Sequence, residues 1–315
     1  MPPPGGAAGG DVCTVGEDNK IILWDAQSHR TLQCAPISSS AAALRRRDPR
    51  AATTSCEPQE RCSRAVAFSP NGEHLAIGLN NGCVNVYNAA TMQLIVTRDL
   101  NAYGKPNNNL AENWIQDLKY NPEGSALAVG THGSVIVLLD VASKYGYKEK
   151  LKAHNASIAH LDWSTDGRNI QSSCVAYELI FHSITDSLTG SKQQTSASAV
   201  KNVQWASQSL PFGWTVSGLI TGAVPGHFFN AVARSSAGDL ICTGDDQGVL
   251  RLYRCPIGGP RNAFARAKAH SSHVMRARFS PDDRYLFSVG GADKTLMQWR
   301  VVRGGGGGSG LLGGI

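Results

Sequence analysis

Nine histidines, eight cysteines and a cluster of arginines are the residues of this 315-residue chain that could carry chemistry. The histidines lie mostly within the sequence repeats, and no Gly-x-Ser-x-Gly, His-Glu-x-x-His or phosphate-loop pattern accompanies them. His154 and His270 each follow an alanine at the start of a repeat, which favours a structural hydrogen bond over acid–base catalysis. We therefore expect no enzymatic activity, no catalytic residue and no cofactor.

The cysteines are scattered through the chain, and several lie in apolar, strand-like runs where a free thiol packs as a small hydrophobic group. Cys56 and Cys62 are the closest pair, and no second cysteine pair or His-x-x-x-His completes a zinc site with them. The pattern predicts structural thiols in a reducing, cytosolic compartment and no metal site.

Two basic stretches could contact a partner. Arg45, Arg46, Arg47 and Arg50 lie among alanines and serines, and guanidinium groups pair with two carboxylate oxygens at once, so this cluster is the candidate contact to an acidic partner. The alternative is a solvated, disordered loop whose charge only maintains solubility. The stretch 144–152 interleaves lysines with two tyrosines, which could stack nucleic-acid bases. The modest net charge, 30 − 24 = +6, favours a rim loop instead and predicts no nucleic-acid partner.

Internal repeats organise the chain. Short alternating strands are separated by Asn-Gly, Asp-Gly, Glu-Gly or Ser-Pro turns, in an order that recurs about every 45 residues, as in four-stranded propeller blades. The third strands of the copies end at Trp24, Tyr87, Leu139, His182, Tyr253 and Trp299. A further, degenerate copy with an aromatic-rich pair of strands is predicted from Ala199.

We therefore expect an all-β propeller of about seven blades over residues 11–302, with an incomplete first blade and one degenerate blade. The first copy begins at its second strand and the last ends after its third, so we expect a fragment of a longer, tandem-propeller protein. Residues 1–10 are predicted to be a flexible Gly/Pro-rich N-terminus, 35–60 a basic, disordered insert, and 303–315 a flexible Gly-rich tail.

The N-terminal residues lack the basic and apolar regions of a secretory signal. The longest aliphatic run, Val135 to Leu139, is far shorter than the roughly 20 residues that cross a bilayer. We expect no membrane partner.

The Trp24-Asp25 pair and the Ala-His pairs that end at His154 and His270 resemble the signature of WD repeats. In that family a histidine, a serine or threonine, an aspartate and a terminal tryptophan form a buried hydrogen-bonded chain. The resemblance implies such a structural polar chain in the last repeat and a partial copy in the first. Its residues are His270, Ser288, Asp293 and Trp299 in the last repeat, and Asp18 and Trp24 in the first.

A more specific resemblance covers roughly residues 113–302. The segments AHNASIAHLDWSTDGRNIQSS, YELIFHSI, AVKNVQWAS and AHSSHVMRARFSPDDRYLFSVGGADKTLMQWRV, in that order, resemble the second propeller of echinoderm microtubule-associated protein-like proteins. Members of that family carry two fused propellers, which implies an upstream propeller of the same polypeptide.

The resemblance implies a non-enzymatic scaffold that binds microtubules or other proteins, in the cytoplasmic cytoskeleton, including cilium or axoneme. The arginine cluster would then face an acidic surface such as a tubulin tail. The alternative function is a generic WD-repeat adaptor in a ubiquitin-ligase or signalling complex, without tubulin contact.

Overall fold

The computed structural model describes residues 11–37, 62–101, 114–152, 154–221, 229–259, 262–303 and 309–314. The predicted N-terminal segment 1–10 and residues 38–60 of the predicted insert lie outside these ranges. Ala35 and Pro36, which the sequence analysis assigned to the insert, belong to a strand. The chain divides into two compact units, Met1–Ala206 and Ser207–Ile315.

The described residues of the first unit form four antiparallel sheets, in each of which strands that are consecutive in the chain pair with one another. The first sheet consists of β1 (Asp11–Val15), β2 (Lys20–Asp25) and β3 (Thr31–Pro36). The second sheet consists of β4 (Ser63–Phe68), β5 (His74–Leu79), β6 (Cys83–Asn88) and β7 (Leu94–Asp99), and the third of β8 (Ile115–Tyr120), β9 (Ala126–Thr131), β10 (Val135–Asp140) and β11 (Gly146–Lys152). The fourth sheet consists of β12 (Ile158–Trp163), β13 (Asn169–Cys174), β14 (Leu179–Ser183) and β15 (Lys192–Gln194).

The second unit contains two further sheets of the same design. The fifth sheet consists of β16 (Phe229–Arg234), β17 (Leu240–Asp245), β18 (Val249–Arg254) and β19 (Phe264–Lys268); the sixth of β20 (Val274–Phe279), β21 (Tyr285–Gly290), β22 (Leu296–Arg303) and β23 (Ser309–Gly314). Helical structure in the described residues is limited to 3-10 turns and the short helix α1 (Ser217–Thr221). No described helix combines the length and apolar character needed to cross a membrane.

A recurring β-bulge identifies the strand that the first sheet lacks. In every four-stranded sheet the pairing of the first and second strands shifts register near the start of the first strand. The β1–β2 pair has no such shift, whereas β2 and β3 shift between Leu23 and Trp24, as the third and fourth strands of the second and third sheets do. β1 therefore corresponds to a second strand, and the first sheet, with three described strands, is incomplete.

The turn between first and second strands is closed by the residue that follows the first strand. Ser69, Ser164, Ser235 and Ser280 each accept, through Oγ, a hydrogen bond of 2.8–2.9 Å from the backbone N–H five residues further on. Asn121 does the same through its side-chain oxygen at 2.9 Å. These polar side chains satisfy a backbone donor that the tight turn leaves without a strand partner, which explains why a polar residue ends each first strand.

Asp283 occupies the position in the sixth-sheet turn where the other four turns have glycine at positive φ. Its own φ is +55°, a conformation that a residue with a side chain rarely adopts. The Asp283 carboxylate accepts hydrogen bonds from the backbone N–H groups of Ser236 (2.7 Å) and Ala237 (2.8 Å) in the fifth-sheet turn. The unfavourable backbone conformation is therefore offset by two charge-assisted hydrogen bonds to the neighbouring sheet.

Glycine in the second strand allows one sheet to pack directly on the first strand of the next. A Cβ added to Gly130 would lie 2.7 Å from Cγ2 of Ile158, and one added to Gly244 would lie 2.6 Å from Cβ of Val274. In each case a β-branched side chain fills the space against bare backbone. The pairs are Gly78 with Ile115, Gly130 with Ile158, and Gly244 with Val274.

The apolar core is divided into clusters that lie between consecutive sheets. One such cluster joins Ala76 and Val84 of the second sheet to Leu118 and Val137 of the third, and another joins Leu240 of the fifth sheet to residues of the sixth. Successive side chains of a strand point to opposite faces of its sheet, and apolar clusters cover both faces. This accounts for the buried runs in the second and third strands.

The expectation of about seven blades is wrong: the described residues form six sheets. The segment predicted as a degenerate blade contains a 3-10 turn (Ala197–Val200), a single bridge between Trp205 and Ser164, and α1. Trp205 packs on Phe181 of the fourth sheet, so its apolar side chain is buried without a sheet of its own. Gln208 donates to the carbonyl oxygen of Leu210 at 2.7 Å, a local hydrogen bond of the kind that competes with strand pairing.

The C-terminal strand differs from the expectation of a flexible tail. The backbone of Ser309–Gly314 pairs with β22 along six residues and completes the sixth sheet. Strand pairing uses backbone groups alone, so a Gly-rich sequence can add an edge strand that side-chain patterns do not reveal.

We expect Gly244→Val to destabilise the protein by about 1–3 kcal/mol, because the new side chain would overlap Val274 in close-packed surroundings. Urea unfolding monitored by circular dichroism measures this change. Gly258→Val is the matched control, since a Cβ at Gly258 meets no atom within 4 Å. Equal unfolding midpoints for the two variants would contradict the proposed role of Gly244.

Candidate functional site

The sixth sheet brings together the four side chains of the polar chain implied by the WD resemblance. His270 Nε2 lies 2.8 Å from Ser288 Oγ, and Trp299 Nε1 donates to the same oxygen at 3.0 Å. The other ring nitrogen of His270, Nδ1, lies 3.0 Å from both Asp293 Oδ2 and Thr295 Oγ1. The chain connects β21, β22 and the segment that precedes β20.

Hydrogen bonds hold Asp293 in its ionised form. Burial opposes ionisation, but donors including the backbone N–H groups of Ser271 and Thr295 outweigh it and lower the pKa of Asp293 to about 2. The carboxylate is thus ionised at neutral pH and suited to accept a hydrogen bond from His270 Nδ1.

Ser288, His270 and Asp293 are hydrogen-bonded in the same sequence as the serine, histidine and aspartate of a serine-hydrolase triad, but the arrangement does not suit catalysis. Ser288 is 0% exposed, and its Oγ accepts the indole N–H of Trp299. A substrate carbonyl could not reach this oxygen without opening the sheet. The geometry is suited to linking strands.

The first sheet contains only part of such a chain. Trp24 Nε1 donates to Thr14 Oγ1 at 2.8 Å, and Asp18 accepts from the backbone N–H of Lys20 at 3.2 Å. No histidine is hydrogen-bonded to either residue among the described ranges. Asp18 and Trp24 therefore lie in the same sheet without forming one connected chain.

The fourth sheet has a polar chain that the sequence analysis missed. His154 Nε2 lies 2.7 Å from Ser172 Oγ, and His154 Nδ1 lies 3.3 Å from Glu178 Oε2. In the last repeat Asp293 lies six residues before Trp299, and the corresponding residue of this repeat, six before His182, is Ala176. Glu178 acts from two residues further on because its side chain is longer than that of aspartate. A search that allowed any acid in this turn would have found it.

The histidine at the tryptophan position of this sheet is neutral. His182 pairs with Ile170 in the register that places Trp299 opposite Leu286 in the sixth sheet. Burial lowers the pKa of His182 to about 4, and its Nδ1 has no hydrogen-bond partner among the residues that the structure describes. His182 therefore fills the position of the indole without joining the polar chain.

One edge of each sheet carries the turns that are open to a partner. In these antiparallel sheets the turn from the second to the third strand lies at the same edge as the connection to the next sheet. We call this the connection edge. Loops displayed by a rigid scaffold commonly form binding sites, so this edge is the candidate interaction surface.

The fourth-sheet turn presents two exposed apolar residues at the connection edge. Val175 is 57% and Tyr177 is 60% exposed. Tyr177 has a φ of +63°, which is unfavourable for a bulky residue, and such strain is concentrated at functional sites. The other five sheets have smaller or polar residues with positive φ in this turn, namely Asn19, Gly82, Ser134, Gly248 and Lys294.

Arg45, Arg46, Arg47 and Arg50 lie outside the described residues, but both ends of their connection are described. The Ile37 N–H donates to the Asn19 carbonyl at 2.7 Å, and the Cys62 N–H donates to Asn80 Oδ1 at 3.0 Å. Asn19 and Asn80 lie at turns between second and third strands. The connection that contains the arginines thus leaves and re-enters the fold at the connection edge of the first and second sheets.

An aromatic cluster marks the same edge near the second long connection, 102–113. The Arg64 guanidinium lies 4.1 Å from the Trp114 ring centroid, and the Trp114 and His132 ring centroids are 5.5 Å apart. Cation–π contact of this kind orients the guanidinium.

The lysine-rich stretch 144–152 forms mainly β11, which is the outermost strand of the third sheet. Tyr145 is only 1% exposed, and its hydroxyl lies 2.7 Å from both Tyr120 Oη and His74 Nδ1. Burial raises the pKa of Tyr145 to about 12, so the hydroxyl stays protonated. Tyr145 is therefore unavailable for stacking on a base.

Comparison with a family model identifies the family of this chain. A family model described as the echinoderm microtubule-associated protein second beta-propeller matches residues 8–301. The chain belongs to this family, its sheets are blades of an all-β propeller fold, and the sequence resemblance to it is confirmed. The match begins well upstream of residue 113, the approximate start of the resemblance seen in the sequence.

Three relatives illustrate the similarity. The chain is 34% identical to the ciliary WD repeat-containing protein ctxp80 of Euplotoides octocarinatus, over 91% of this chain and 38% of the relative. It is 30% identical to the 77 kDa echinoderm microtubule-associated protein of Strongylocentrotus purpuratus (92% and 37%) and 31% identical to echinoderm microtubule-associated protein-like 2 of Homo sapiens (92% and 39%). The chain thus spans less than two fifths of the length of each of these relatives.

Among solved structures, a chain of a mitotic checkpoint complex crystal structure is similar in fold. The TM-score is 0.65 at 18% sequence identity, over 94% of this chain and 85% of the other. At this level of identity the similarity supports the fold alone.

We expect Asp293→Ala to lower stability by about 1–3 kcal/mol, because it leaves the buried His270 with a weakened set of partners. The urea midpoint measures the loss, and Asp186→Ala, at an 89% exposed carboxylate, is the control. A variant that melts with the parent but loses its binding partner would contradict a structural role for Asp293.

The stabilisation from Asp293 is expected to depend on pH. Its pKa of about 2 in the folded protein lies below the value of about 3.9 in an unfolded chain. The ionised carboxylate therefore contributes fully above about pH 4, and this contribution is lost as the pH falls towards 2. Unfolding midpoints of the parent and Asp293→Asn should accordingly converge over that range, whereas a constant difference would refute the assignment.

Proposed function

We propose that this chain is a non-enzymatic binding module that acts as a scaffold on microtubules through its connection edge. The observation that carries the proposal is the position of the arginine-rich connection, whose two ends lie at this edge, in a family whose relatives are named for microtubules and cilia. A rigid repeat scaffold with exposed loops can bind a partner without any reactive group.

Electrostatics support an acidic partner. Four arginines lie within six residues, and each guanidinium keeps its charge while pairing with a carboxylate in a two-pronged geometry. Microtubules carry an acidic outer surface, for which such a cluster is complementary. The contact would be weakened by salt, because salt screens attraction between charged groups that remain accessible to solvent.

The exposed turn of the fourth sheet supplies the apolar complement. Tyrosine is common at the centres of protein interfaces, since it offers a large contact area with little loss of side-chain freedom. Tyr177 and Val175 are held by a short turn between two paired strands, so their positions are fixed before binding.

The cytoskeleton, including cilium or axoneme, is the proposed location, supported by the names of the relatives. An upstream propeller of the same polypeptide is part of the proposal, in keeping with the share of each relative that the chain spans. A role as a WD-repeat adaptor in a ubiquitin-ligase or signalling complex is the alternative that the following experiment distinguishes.

Replacement of Arg45, Arg46, Arg47 and Arg50 with alanine is expected to weaken microtubule co-sedimentation at low salt by at least about tenfold. Removal of four charge-assisted contacts of modest individual strength accounts for this effect. Increasing salt should weaken binding of the parent and have little effect on the variant.

A matched control removes the same number of charges elsewhere. Alanine at Lys144, Lys148, Lys150 and Lys152 changes the net charge equally but alters the third sheet at and beside its outer strand. This variant should retain most of the binding. Equal losses for the two variants would indicate non-specific attraction, and absence of binding by the parent would favour the adaptor alternative.

A further inference from the structure

Three potential metal ligands converge at the connection edge of the fourth sheet. His154, Cys174 and Glu178 each offer one donor atom, and these atoms lie within 4.8 Å of one another. His154 precedes β12, Cys174 ends β13, and Glu178 closes the turn to β14. None of the patterns searched for in the sequence combines these residues, because their spacing of 20 and 4 residues fits no common zinc motif.

Two of the three donor–donor distances match the edges of a tetrahedron around zinc, and the third, between His154 and Cys174, is at most 4.8 Å. With Zn–N and Zn–O near 2.0–2.1 Å and Zn–S near 2.3 Å, tetrahedral geometry places N and O about 3.3 Å apart and S and O about 3.5 Å apart. Here His154 Nδ1 lies 3.3 Å from Glu178 Oε2, and Cys174 Sγ lies 3.3 Å from the same oxygen. A cation can therefore be held with small movements of these side chains.

Neighbouring groups orient the donors. Ser172 Oγ lies 2.7 Å from His154 Nε2, which holds the ring with Nδ1 towards Glu178. Asn155 donates to Glu178 Oε1 at 2.6 Å through its side chain and to Oε2 at 3.0 Å through its backbone N–H. Such outer hydrogen bonds to histidine and carboxylate ligands are typical of zinc sites.

The sixth sheet has the same histidine–carboxylate pair, His270 and Asp293, but no thiol beside it. There the strand register places Gly290 opposite Val274, as Cys174 lies opposite Ile158. A Cβ on Gly290 would overlap Asp293, so that site has no room for a third ligand. The thiol in the fourth sheet is thus an addition to the polar chain and has no counterpart in the sixth.

We propose that His154, Cys174 and Glu178 bind one divalent cation of zinc type, with the fourth coordination position open to solvent. A sulfur and an imidazole nitrogen select zinc over magnesium or calcium. On binding, the Cys174 proton, which now bonds to Glu178, leaves for solvent, and the thiolate coordinates the metal. His154 binds through Nδ1 as the neutral tautomer whose proton is on Nε2, where Ser172 Oγ accepts it. The histidine and cysteine are buried while Glu178 is 28% exposed, so water or a partner side chain can reach the fourth position.

The test uses the full chain, purified with a chelator and titrated with Co²⁺ as the probe. We expect one equivalent of tetrahedral Co²⁺, with visible d–d bands and a thiolate-to-cobalt charge-transfer band that Zn²⁺ abolishes by displacement. Cys174→Ser should remove the charge-transfer band, and Glu178→Gln should weaken binding by about tenfold or more. Circular dichroism checks that each variant is folded.

Two controls locate the site. Cys242→Ser removes another buried thiol, which donates to the carbonyl of Thr243 and packs in an apolar cluster of the second unit, and should leave the band unchanged. Cys56→Ser combined with Cys62→Ser should also leave it unchanged. If instead that pair abolishes the band, or the parent binds no Co²⁺, the assignment is wrong.

X-ray absorption of the zinc-loaded parent gives a measurement that needs no variant. We expect one sulfur at about 2.3 Å and the remaining ligands, nitrogen or oxygen, at about 2.0 Å. No sulfur, or two or more, would overturn the proposed ligand set.

Discussion

Close approach between the second strand of one sheet and the first strand of the next is the constraint on which the architecture depends. At Gly78, Gly130 and Gly244 the facing β-branched side chain rests on backbone, and the apolar clusters fill the space on either side. In close-packed protein interiors, adding or removing even one methyl group lowers stability. Because the first strands are held in place by these contacts, the turns at the connection edge start from fixed points, and their exposed residues can be rigid without further support.

Much of this organisation could be predicted from sequence because strands and turns have local signals. The two-residue alternation and the glycine-containing turns located all the repeats that form sheets, including the incomplete first one. The same signals failed where structure depends on distant partners. Trp205 is buried against the fourth sheet, so the aromatic pattern around it predicted a blade where the described residues form none. The strand Ser309–Gly314 is built from backbone pairing that its sequence does not encode.

The candidate sites show the same division. His270, Ser288, Asp293 and Trp299 could be assigned because they match a family pattern residue by residue. Glu178 could not, since a longer side chain acting from a shifted position breaks a fixed spacing while preserving the contact. The burial of Tyr145 depends on hydrogen bonds to Tyr120 and to His74 of another sheet, which no local pattern in the lysine-rich stretch reveals.

Asp283 illustrates how a repeat can become specific to its place. Its carboxylate accepts two backbone hydrogen bonds from the adjoining turn, although glycine would suit its own backbone conformation better. A consensus built by averaging the five turns would choose glycine there and would sever this link. Sequence differences between repeats in this chain can therefore supply contacts between neighbouring sheets. Repeats that look interchangeable in an alignment would not be interchangeable in the molecule.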